Sequence, residues 1–121
     1  MTDLSTLGAR VAHLHDLYKG RDRPSLRDVD RYCDPPLSLG HTAQIVAGSI
    51  KDPGVSVVRR LARVFGCSIA WLGANEGRAP TGPAVTRAID RARAETEQRE
   101  SAIGPVVSRE LGVSGQKEER R

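Results

Sequence analysis

The chain has 121 residues, with 19 Lys and Arg against 15 Asp and Glu, a formal net charge of +4, and one Trp, two Tyr and one Phe. This length fits one domain with an appended tail, so few aromatics allow only a small aliphatic core, and the mild basic excess suits a nucleic-acid partner. Cys33 and Cys67 stand far apart with no Cys-x-x-Cys pair, which excludes a zinc cluster, and there is neither a signal peptide nor an apolar run long enough for a membrane span, so we expect buried reduced thiols in a soluble, cytoplasmic protein.

Taken in order, the first helix is expected to start near Thr2 or Asp3, either of which can cap it. Leu4, Leu7, Val11, Leu14 and Tyr18 then share one face, and Gly20 ends the pattern. Ser25 with Asp28 forms a capping pair for a second helix whose inward residues are Leu26, Val29 and Cys33. Asp34-Pro35-Pro36 then stops it, because proline can neither donate its amide nor let the preceding residue stay helical. Ser38 is the candidate cap of a third helix that buries Thr42 and Ile45 and ends at Gly48. Pro53-Gly54 makes a turn. From Ser56, Val57, Val58, Leu61, Ala62 and Phe65 recur at helical spacing up to Gly66, and Ser68 opens a short fifth helix carrying Ile69, Trp71 and Leu72.

Beyond Gly77 the composition changes. Residues 78–83 read as a linker, and residues 84–121 as a helical extension with a disordered C-terminal tail. The extension helix runs from Ala84 to about Ser101 with a thin apolar stripe of Val85, Ala88, Ile89 and Ala92. Gly104-Pro105 is expected to break it. One more short amphipathic turn would follow over Val106, Val107 and Leu111, with Gly112 past its end.

Residues 4–77 resemble the lambda-repressor/Cro-like (XRE-type) helix-turn-helix family of transcriptional regulators. The resemblance lies in the opening pattern Leu7-Gly8-x-Arg10-Val11-x-x-Leu14, in Leu61-Ala62 with Gly66, and in the run Ser68-Ile69-Ala70-Trp71-Leu72. It implies an all-α fold, a five-helix lambda-repressor-like bundle with a C-terminal helical extension, in which residues 1–77 are the DNA-binding domain. It also implies a homodimer on double-stranded DNA, repressor-like, with the third helix in the major groove and the second crossing the backbone. Base-facing positions would be Leu39, Gly40, Ala43 and Gln44, with His41 alongside and Ser38 as the cap at the start of the helix. Lys51 in the following loop, and Ser25 and Arg27 at the start of the second helix, would meet phosphate. Of these only Gln44 can bind an adenine edge bidentately, whereas Leu39 and Ala43 suit a thymine methyl.

The chain departs from the family at several points. His15 and Val46 occupy the positions of a buried Arg–Glu pair, so both partners are lost together. Asp30 stands where the family keeps a small residue, and Pro35-Pro36 lengthen the turn before the third helix. The same departures suit an alternative, a helix-turn-helix module that binds a protein partner, antitoxin-like or adaptor, without specific DNA binding. His13 and His15 point to different helix faces, and no nucleophile elbow or phosphate loop occurs. The chain therefore reads as a non-enzyme with no cofactor or metal, and no membrane partner.

Overall fold

The computed structural model describes residues 3–109, with residues 103–109 as backbone only. The described residues hold six helices and no strand: α1 (Leu7–Leu17), α2 (Leu26–Tyr32), α3 (His41–Ala47), α4 (Val55–Phe65), α5 (Ile69–Ala74) and α6 (Gly82–Arg109).

Short-range caps set several of these boundaries. At α2 the Ser25 hydroxyl accepts from the Asp28 amide while the Asp28 carboxylate accepts from the Ser25 amide, a reciprocal capping box. At α5 the Ser68 hydroxyl accepts from the Trp71 amide. The start of α1 differs from the expectation. Its cap is Thr6, whose hydroxyl accepts from the Ala9 amide, and Asp3 instead receives the Ser5 amide in a turn outside the helix; Thr2 lies outside the described residues. The end of α1 also comes earlier than Gly20, at Leu17, with Tyr18 already extended.

One core joins all six helices. Val11 and Leu14 of α1, Val29 of α2, Ile45 of α3, Leu61 and Phe65 of α4, Trp71 and Leu72 of α5, and Val85 and Ile89 of α6 are all buried in a single cluster. Burying each of the larger aliphatics stabilises by about 1.5–3 kcal/mol before the entropy of ordering is counted. Two glycines let the helices approach. A Cβ on Gly8 would fall 2.4 Å from the Ile45 carbonyl oxygen, which sets α1 directly against the backbone of α3. Gly66 ends α4 with φ of 68°, and a Cβ there would sit 2.5 Å from that of Ala88 in α6.

The apolar stripe of α6 is spent inside the molecule. Val85, Ala88, Ile89 and Ala92 are buried as α6 lies across α1, α2 and α4. The stripe therefore packs on the body of the bundle and is not free to meet a second copy. Polar bonds fasten the same helix. The Tyr18 hydroxyl donates to Asp90 Oδ1 (2.7 Å), and Arg93 donates from Nε to the Tyr32 hydroxyl (3.0 Å) and from Nη2 to the Asp22 carbonyl. Burial and the neighbouring Asp90 carboxylate raise the Tyr18 phenol above its ordinary pKa, so it stays protonated and keeps donating. The Lys19 amide donates to the Thr86 hydroxyl (3.0 Å), which anchors the start of α6 to the end of α1.

The break expected at Gly104-Pro105 is not found, because α6 continues through both to Arg109. A proline removes one helical hydrogen bond, here to the carbonyl of Ser101, an exposed residue where water can take its place. Leu111, Gly112 and the tail expected to be disordered lie outside the described residues.

Candidate nucleic-acid interface

The surface that the resemblance singles out is built around α3, and α3 is positioned from a distance. Asp30, fully buried on α2, accepts the Gly40 amide on Oδ2 (2.8 Å) and both the Thr42 amide (2.9 Å) and the Thr42 hydroxyl (2.6 Å) on Oδ1. Its carbonyl accepts the Leu37 amide (3.0 Å). One residue thus gathers the turn of residues 33–40 and supplies the anionic cap that a helix N-terminus favours. The expectation that Ser38 caps α3 is corrected. Gly40, in the left-handed region at φ 89°, is the cap position and offers no side chain. Ser38 contributes only its carbonyl, which accepts the His41 amide, and its side chain is exposed.

The sequence-derived positions divide by exposure. Thr42 and Ile45 point inward, as helical spacing requires, while Gln44 and Ala47 are exposed and Ala43 is half-buried. Leu39 lies in the turn before α3, 72% exposed. Half-buried His41 opens the helix; its Nε2 is buried and has no hydrogen-bond partner among the described residues. No Lys, Arg, Asp or Glu occurs on α3. Its far end is tied to the next loop through the Gln44 carbonyl, which accepts the amides of Ser49 (2.9 Å) and Ile50 (3.2 Å). That places exposed Lys51 directly after the end of the helix that carries Gln44. On α2, Arg27 is exposed and has no carboxylate within 4 Å among the described residues, but the Ser25 hydroxyl is engaged in its own helix cap.

Arg10 also shapes this end of the molecule, though sequence reasoning registers it only as part of an opening pattern. It is 4% exposed, with Nε donating to the Leu72 carbonyl (2.8 Å) and Nη1 to the Leu4 carbonyl (2.7 Å). It braces the N-terminal segment against α5, and burial lowers its pKa from the ordinary value. Beside it a groove of about 460 Å³ runs between the start of α1, the end of α3 and the loop bearing Lys51. A signal for Arg10 exists in the sequence, a cation four residues after the α1 cap on the buried side of the helix, but the carbonyls it serves lie on other segments.

Comparison with protein-family models, with characterised proteins and with solved structures finds no match. No helix among the described residues is long and apolar enough to cross a membrane.

Proposed function

We propose that the chain is a DNA-binding transcriptional regulator, repressor-like, of the lambda-repressor/Cro-like helix-turn-helix type. In this reading α3 enters the major groove and two copies address two half-sites about 34 Å apart. The observation that carries it is the placement of Gln44 on the exposed side of a helix fixed at both ends, with Lys51 in the loop tied to that helix. Gln44 would read one adenine, Leu39 and Ala43 would touch apolar base edges, and Lys51 and Arg27 would meet phosphate. Because the α6 stripe is buried, the two copies would meet through other surfaces of the molecule.

Selection of bound duplexes from random DNA, followed by titration with variants, tests the reading. Gln44→Ala should lose about 1–3 kcal/mol on the preferred site and relax one base position. Lys51→Ala should weaken all sequences alike and reduce the salt slope by about one. Wild-type binding by both variants would remove α3 from the groove.

One observation favours the alternative, a protein-interaction module: α3 carries no cationic side chain, whereas arginines concentrate on α4 and α6. Titration with duplex DNA over a range of salt tests the first reading directly, since phosphate contacts release counterions and the affinity for DNA then falls steeply as salt is raised.

A further inference from the structure

A cluster of five arginines lies away from α3. Arg59, Arg60 and Arg63 of α4 rim an open groove of about 350 Å³ whose lining also includes Cys67 and Ile69. A narrow crevice beside it brings Arg91 and Arg99 of α6 next to Arg60 and Arg63. Two carboxylates oppose these five cations, and both pairings are long: Glu95 stands 3.8 Å from Arg63, and Asp34 stands 3.8 Å from Arg99. Arg60 is occupied by uncharged partners, the Pro35 carbonyl (3.3 Å) and the Ser56 hydroxyl (2.9 Å). Arg59 and Arg91 have no carboxylate within 4 Å among the described residues. Within the groove Ile69 is 43% exposed, an apolar side chain left in water among arginines.

We propose that this groove docks an acidic segment of a partner protein, with carboxylates on Arg59, Arg63 and Arg91 and one apolar side chain against Ile69. Guanidinium groups suit this partner because they grip carboxylates in a bidentate fork. Two features disfavour a nucleic-acid backbone. A duplex carries one negative charge about every 1.7 Å, so its phosphates would run close to the Asp34 and Glu95 carboxylates on the same surface. The deoxyribose between phosphates also offers less apolar surface to Ile69 than an aliphatic or aromatic side chain does. Separated carboxylates around an apolar anchor satisfy both constraints, with the anchor dry and the charges at the rim. None of Gln44, Leu39 and Lys51 belongs to the groove, so this docking and DNA reading by α3 stand or fall independently.

The test is selection from a displayed random-peptide library on the immobilised full chain, followed by titration of the selected peptides. The expected peptides combine acidic residues with an apolar one, and their binding shifts the Ile69 methyl resonance. They should bind Arg59→Glu/Arg63→Glu at least about tenfold more weakly. Ile69→Ser should also weaken them, and both variants change exposed side chains, so an unaltered far-UV spectrum is expected of each. The proposal is overturned if no peptide is selected, if the selected peptides lack an acidic excess, or if they bind the variants like the parent. It is equally overturned if random duplex DNA is what shifts Ile69, or if sedimentation shows that a second copy of the chain fills the groove and leaves it in the double variant.

Discussion

Asp30 accepts three hydrogen bonds from the first turn of α3 and the residue before it, the two from Thr42 buried and the one from Gly40 half-buried. Asp30→Ala would leave two amides and a hydroxyl without an acceptor, at a cost on the order of 3 kcal/mol. Urea denaturation followed by circular dichroism should show this, and a loss below about half a kcal/mol would mean that α3 is capped by other means. The residue is visible in the sequence as a carboxylate on an inward face, but its donors lie 10 and 12 residues further on. Ser38 is near enough to compete as the expected cap, and only the fold decides between them. The thiols give a second prediction at this scale. Burial pushes Cys33 up to about 12 and Cys67 up to about 11. In the unfolded chain a thiol ionises near 8.5, so between roughly pH 9 and 11 the folded state binds more protons than the unfolded one. Stability should be complete below that window and fall as pH rises through it. Each such group contributes a slope of at most about 1.4 kcal/mol per pH unit. Urea midpoints measured across the window should fall less steeply for Cys33→Ala than for the parent; equal slopes would refute the assignment.

At the scale of elements, α6 stabilises the bundle as an integral part of it. Ile89 is fully buried, and Ile89→Ala should cost about 2–5 kcal/mol in chemical denaturation. Truncation after Gly77 removes Val85 and Ile89 from the core, together with the Arg93 bonds to Tyr32 and Asp22. The shortened chain should therefore lose most of its helical signal at room temperature. A truncated chain as stable as the parent would show that α6 only covers a core complete without it. Element boundaries are legible where the cap is local. Ser25 with Asp28, and Ser68 with the Trp71 amide, each close within three residues. Boundaries set by other elements are not legible, as at α3. The stripe of α6 is legible as apolar, but its partner is not, since the pattern that buries a helix against its own bundle also serves a dimer.

For the molecule as a whole, α6 and the first five helices share one hydrophobic cluster, so unfolding should be a single event. Trp71, the only tryptophan, is buried in α5, while most helical residues lie elsewhere. Its fluorescence and the far-UV signal should trace the same urea transition, and an earlier far-UV transition would mean that α6 melts separately. The all-helical class follows from spacing, because Leu61, Ala62 and Phe65 recur at a period that only a helix can bury on one face. At the candidate interface, the outward turn of Gln44 follows from the same periodicity. The arginine groove does not, since it combines Asp34, four residues of α4, Cys67 and Ile69 of α5, brought together only by the packing of helices.

Arg93 reaches back 61 residues to Tyr32 and 71 to Asp22. On the ribosome the chain emerges from its N-terminus, and domains generally fold as units during that process. The faces of α1, α2 and α4 that receive Val85 and Ile89 therefore leave the exit tunnel before their cover is made. Until Arg93 has emerged, the nascent chain carries apolar residues without their cover, which a chaperone can hold, and a codon that slows translation just before α6 would lengthen that exposure.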